Sequence, residues 1–263
     1  MRLRPVFLVL VATFILLAET TVPSSSFFLF DWLKPKSEEP PPETKPPENT
    51  KVVKPSVLRR IRGEPHALVL RPNAASAPDK THSALLISQK SYFGDFSYRG
   101  RVRTVRQLRE GSPPNPWEVA WVVWNYVDPT HFYYLAIKPI GWEVGKVDPA
   151  HRGAQRFMAT GETPYPIGEW HRFEIVHRDH GTTIRINGQK VTTILDEDGP
   201  YIGGRIGVYT EDAEIQLSNV TRPFTDDFSS YRKQTSRRDG VRFGPWIVPF
   251  LGYGEVSIVE LAN

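Results

Sequence analysis

Past residue 56 the chain is a succession of short apolar and β-branched runs cut by turn residues: HALVL, SALLISQ, DFSYRGRVRTV, EVAWVVWNYV, FYYLAIK, WEVGKV, RFMAT, HRFEIVHR, TTIRING, QKVTTIL, RIGVYT, AEIQLSNV and GEVSIVEL. Alternation at period two, with no long apolar stretch at helical spacing, predicts strands throughout and hence an all-β, two-sheet antiparallel sandwich. Two runs meet at Asn187 and Gly188. That pair suits a type I′ turn, because both central residues must take positive φ.

Alternation also assigns faces. In DFSYRGRVRTV, Phe96, Tyr98 and Val102 fall on one side and Arg99, Arg101 and Arg103 on the other, so one face is core and the other wet. EVAWVVWNYV is apolar on both sides, with Glu118, Val122, Trp124 and Tyr126 against Val119, Trp121 and Val123. Such a strand is covered on both faces, by the facing sheet and by a groove ligand or a loop. In FYYLAIK, Leu135 and Ile137 read as core, which turns Tyr134 and Lys138 toward the groove.

The N-terminus has a different pattern. Arg2 and Arg4 precede an apolar run from Val6 to Ala18, the charged and hydrophobic regions of an export signal. The run is shorter than the roughly 18 to 20 residues that span a bilayer. The small-x-small site near Ala18 is poor and a second apolar patch, Phe27 to Leu33, follows, so residues 1–33 read as a cleaved signal or a retained anchor. KPKSEEPPPETKPPENTKVVKP, residues 34–55, is rich in Pro, Glu and Lys, a disordered stalk or tail. The sandwich is expected over 56–263, outside the cytoplasm, with a membrane contacted only through the N-terminal segment.

Composition narrows the functional classes. The 263 residues are 40% hydrophobic, enough for one core of the usual domain size. The net charge of +4 comes from 33 basic against 29 acidic residues spread along the chain. Arg59, Arg60, Arg62, Arg237 and Arg238 form only local clusters without a base-stacking module, so no nucleic-acid partner is expected. With no cysteine, disulfides, thiolate zinc sites and thiol nucleophiles are excluded.

The stretch WVVWNYVDPTHFYYLAIKPIGWEVGKVD, followed by GEWHRFEIVHRDHGTTIRINGQKVTTILDEDGPYIGGRIGVYTEDAEIQLSNV, resembles the concanavalin A-like lectin and glucanase jelly roll. Within it the similarity is to laminin-G-like and family 16 type domains, including the 3-keto-disaccharide hydrolase group. The shared landmarks are the aromatic strand closing on Asp128, the return strand with Phe132, Tyr133 and Tyr134, Gly168 to Trp170, the Asn187–Gly188 hairpin and the G-x-I-G-V strand from Gly204 to Val208. The resemblance covers Phe96 to Val220 and implies a jelly-roll sandwich, a sugar ligand and, as an option, a structural calcium. It leaves activity open, because this superfold hosts lectins, hydrolases, lyases and adhesion modules. TDDFSSY and GPWIVPFLGYGEVSIV, which usually open such domains, stand here at the C-terminus. Residues 225–263 are therefore expected to supply a permuted first strand beside His66 to Leu70, or else to begin a truncated second domain.

Catalytic signatures are sparse. A retaining glucanase carries paired carboxylates about 5 to 5.5 Å apart, commonly as E-x-D-x-x-E on one strand. The nearest segment offers Glu143 and Asp148, an odd number apart and so on opposite faces. G-x-S-x-G, Walker and H-E-x-x-H motifs are missing. His177, Asp179 and His180 read as a hairpin end, and Asp196, Glu197, Asp198, Asp226 and Asp227 as solvated loops or calcium oxygens, with no ligand assigned. Asn219-Val220-Thr221 matches a glycosylation sequon. No cofactor is expected.

What remains is a sugar groove, in which flat rings stack on pyranose faces and charged or amide groups bind hydroxyls. Arg103, Glu118, Trp124, Tyr126, Tyr134, Lys138, Lys146 and Gln155 are its expected lining, and Glu118 its acid/base if the domain is an enzyme. The alternative is that these rings form a second apolar layer under a loop. The leading expectation is a carbohydrate-binding module for a polysaccharide or glycan. A glycoside hydrolase or lyase and a protein-binding adhesion module are the alternatives.

Overall fold

The computed structural model describes residues 66–231 and 234–261; the export segment, the stalk and residues 56–65 lie outside the described residues. The first strands are β1 (His66–Arg71), β2 (Ser83–Ser88), β3 (Tyr92–Phe93), β4 (Phe96–Gln107), β5 (Trp121–Asp128) and β6 (His131–Lys138). Then come β7 (Gly141–Val147), β8 (Gln155–Gly161), β9 (His171–Arg178), β10 (Gly181–Ile186), β11 (Gln189–Leu195), β12 (Gly203–Glu211) and β13 (Ala213–Arg222). β14 (Thr235–Ser236), β15 (Val241–Phe243), β16 (Trp246–Phe250) and β17 (Glu255–Glu260) complete the described chain.

These strands form a two-sheet antiparallel β-sandwich. One sheet runs β11-β10-β9-β4-β13-β1-β17-β14, the other β15-β16-β2-β12-β5-β6-β7-β8, with β3 on β12. β4 follows its sequence pattern: Phe96, Tyr98, Val102 and Thr104 are buried while Arg99 is exposed and Arg101 and Arg103 half-buried. The β10–β11 hairpin turns at Asn187 (φ 52°) and Gly188 (φ 87°). The C-terminal strands extend both sheets: β17 pairs β1 from His66↔Glu260 to Arg71↔Glu255, and β16 pairs β2 at Trp246↔Ser88.

Two apolar clusters result. The inter-sheet core draws on both sheets and includes Leu68, Tyr98, Val122, Trp124, Leu135, Ile175, Leu217, Trp246 and Ile258. The second cluster draws on the β5-containing sheet and on Val119 just before β5, and includes Leu85, Ile87, Trp121, Val123, Tyr126, Phe132, Tyr134 and Tyr209. By alternation it occupies that sheet's outer face.

Candidate functional site

The outer face is organised by register. Tyr209, Trp121, Ala136, Glu143 and Thr160 lie opposite one another across β12, β5, β6, β7 and β8. One row along are Gly207, Val123, Tyr134, Gly145 and Phe157. Gly145 is required there: a Cβ on it would lie 2.3 Å from the Tyr134 hydroxyl oxygen, so the phenol ring passes over bare backbone. Trp121 stacks on Tyr134 with centroids 4.4 Å apart and planes 30° apart, and meets Tyr209 edge-on at 5.4 Å.

Polar groups gather where this face reaches β7 and the edge strand β8. The Tyr134 hydroxyl donates to Glu143 Oε1 at 2.8 Å and accepts from Gln155 Nε2, while Lys138 Nζ donates to Glu143 Oε2 at 2.9 Å. The Lys138 and Glu143 side chains keep 16% and 14% exposure, and the Phe157 ring beside them is 56% exposed. Burial, followed by the Glu143 charge, holds the Tyr134 phenol well above its ordinary pKa, so it stays a donor. At the other end, Tyr209 donates to Glu211 Oε1 at 2.6 Å. Glu211 is fully buried with Oε2 unpartnered, and burial, reinforced by the Asp212 and Glu118 charges, pushes its carboxyl up to about 8.

Of the sequence-expected lining, Tyr134, Lys138 and Gln155 come together here, and Tyr126 joins the same outer cluster. Four residues do not. Trp124 is buried in the inter-sheet core, stacked on Tyr133 at 5.6 Å. Alternation is regular up to Trp124, which shares the core face with Val122 while Trp121 and Val123 face outward; the bulge that follows, with Asn125 at φ 46° and a register shift between Trp124 and Asp128, turns Tyr126 to the outer face despite its even spacing from Trp124.

Lys146, an even position in β7, also points inward. It is fully buried, paired to Asp196 at 3.0 Å and Asp148 at 3.2 Å, donates to the Asp198 and Gly199 carbonyls, and lies 4.5 Å over the Tyr201 ring. Arg103 belongs to the other sheet, where it donates to Gln216 Oε1 and lies 4.9 Å over the Trp170 ring. Glu118 is buried with Arg109 at 2.5 Å; Asp212 takes the same guanidinium at 2.9 Å and Asn115 donates to Glu118 at 2.7 Å. Through Arg109, which also holds Asp212, that carboxylate ties its loop to the β12–β13 turn instead of lining the face as an acid/base.

Trp121, Glu143, Phe157, Tyr209 and Glu211 were missed as lining. Alternation outward from Tyr134, carried across the register, finds all but the last, whose signal is its even spacing from Tyr209. Glu143 and Asp148 do not pair: the first meets Tyr134 and Lys138, the second Lys146.

Among the described residues no group of three or more His, Cys, Asp or Glu side chains is placed to hold a metal. Asp196 is engaged by Tyr133, Lys146 and Arg156, and Asp226 by Trp246 and Tyr231. His177 is buried at 2.9 Å from Thr182 Oγ1, and burial lowers its pKa.

Among solved structures, the carbohydrate-binding module CBM66 of Bacillus subtilis is 16% identical, with a TM-score of 0.44, covering 58% of this chain and 91% of that one. Sheep galectin-11 is 10% identical over 57% of this chain and 96% of its own, TM-score 0.38. A glycoside hydrolase family protein of Mycobacterium thermorestibile is 14% identical over 58% and 73%, TM-score 0.36. No curated protein matches. A family model, the 3-keto-alpha-glucoside-1,2-lyase-like domain, matches residues 58–221, more than half of the chain, and the protein belongs to that family.

Proposed function

We propose that the domain binds carbohydrate at the β7–β8 end of the outer face. The observation that carries this reading is the exposed Phe157 ring beside the Tyr134–Glu143–Lys138–Gln155 cluster. An aromatic ring offers a pyranose its flat apolar face, while carboxylate, ammonium and amide groups read the hydroxyls. Membership of a family described by a glucoside reaction supports a sugar ligand. The test is a glycan array followed by calorimetry on the best ligand. Phe157→Ala and Glu143→Gln should each weaken binding at least tenfold without loss of the folded state. A blank array would refute the reading and favour a protein-binding surface.

A second reading, elimination on a 3-keto glucoside, is favoured by the family match over residues 58–221, described as a 3-keto-alpha-glucoside-1,2-lyase-like domain. A 3-keto group acidifies the neighbouring C2–H. Glu143 would take that proton, its electron pair would form the C1=C2 double bond, and the C1–O bond would break onto the glycosidic oxygen. That oxygen would take its proton from solvent water. Incubation with a 3-keto disaccharide tests this by the ultraviolet absorbance of the conjugated enone. Its absence would remove the lyase reading and leave binding untouched. For the N-terminal segment we propose export, with the domain held outside the cytoplasm, tested by protease accessibility of intact cells.

A further inference from the structure

Away from that face, β3, the start of β4, the β9–β10 hairpin and the end of β13 enclose an open cleft of about 580 Å³. Three arginines line it, Arg99, Arg178 and Arg222, against one carboxylate, Asp95. Two of them are committed. Arg99 pairs with Glu174 at 2.5 Å, and Arg178 with Asp95 at 3.3 Å while donating to the Phe96 and His177 carbonyls.

Arg222 is exposed, and its guanidinium has no hydrogen-bond or ion-pair partner among the described residues. It stands directly opposite Arg99 in the β4–β13 register. Like charges facing each other across strands destabilise a sheet, and a bound anion removes that cost. Beside them Phe93 is 72% exposed, its ring lying over Gly203, where a Cβ would come 2.3 Å from Phe93 Cδ1. Tyr92 behind it is fixed by stacking on Phe224. A volume in the range of small-ligand sites, an exposed ring and an uncommitted guanidinium together describe a ligand with an apolar face and an anionic group.

We propose that this cleft is a second saccharide site selective for acidic sugars, taking the ring of a uronate on Phe93 and its carboxylate on Arg222, with Arg99 adding to the positive field. It shares no residue with the β7–β8 site and does not rest on it. The test is calorimetry of the full chain with tetragalacturonate, with cellotetraose as the neutral control and sodium sulfate as the simple anion. The expected result is tetragalacturonate binding that weakens on raising salt and falls at least tenfold in Arg222→Ala and severalfold in Phe93→Ala. It should be unchanged in Glu143→Gln, which separates it from the outer face. Cellotetraose binding that falls in Arg222→Ala as tetragalacturonate binding does, sulfate competing as tightly as the oligosaccharide binds, or tetragalacturonate binding indifferent to Arg222→Ala or lost in Glu143→Gln would each overturn it. Both substituted side chains are exposed, and an unchanged thermal transition confirms that either variant is folded.

Discussion

At the residue scale, Glu211 ties the outer face to stability. Its carboxyl is raised from an ordinary 4.5 to about 8, so the folded chain holds a proton that the unfolded chain releases between those values. Its contribution is complete below about pH 4.5 and is lost as pH rises through about 8. Asp128, Asp148 and Asp196, held below their ordinary values, act in the opposite sense and lose their contributions as pH falls. The Glu211→Gln variant keeps the shape and removes the titration. Its melting temperature should decline less steeply from pH 5 to pH 9 than that of the parent, the remaining slope coming from Glu118 and Asp212, which are also raised. Parallel profiles would place the raised acid elsewhere. Arg109 is a second lever: two buried carboxylates share it, and Arg109→Ala should cost about 3 to 5 kcal/mol in urea unfolding, the penalty of leaving buried charge unpaired.

At the element scale, strands were legible wherever alternation was undisturbed. β4 sorts its aromatics inward and its arginines outward as the pattern predicts, and Leu135 and Ile137 lie in the core with Tyr134 behind them. In β5 alternation holds from Trp121 to Trp124, but a strand apolar on both faces does not say which face is the core, and Trp124 lies on the core side. Asn125 in the left-handed region then breaks the count and turns Tyr126 outward. The Lys146 error has another origin: of its two ion-pair partners, Asp196 lies fifty residues away, beyond local pattern. Asn125 also donates Nδ2 to the Tyr201 carbonyl at 2.5 Å. Asn125→Ala should therefore cost roughly 1 to 3 kcal/mol, combining a lost hydrogen bond with alanine at positive φ. Asn125→Gly should recover the backbone part. If glycine were as costly as alanine, the side-chain contact alone would be responsible.

At the scale of the molecule, the family match ends at residue 221 while the sandwich does not. β14 and β17 extend one sheet and β15 and β16 the other, so the last forty residues contribute to both layers. Phe243, Trp246, Val248, Val256 and Ile258 are all buried in the inter-sheet core, and the indole of Trp246 donates to Asp226 at 2.9 Å. Burying a large apolar side chain stabilises by about 1.5 to 3 kcal/mol, so losing five approaches or exceeds the whole stability of an ordinary domain, about 5 to 15 kcal/mol. Removal also strips β1 and β2 of their neighbours, leaving Leu68, Leu70 and Leu86 without their cover and two edges unpaired. A chain ending at Asp226 should therefore lose its cooperative thermal transition. A truncated form that still melts in one sharp step would mean that the family segment folds alone and that the C-terminal strands are an accessory layer.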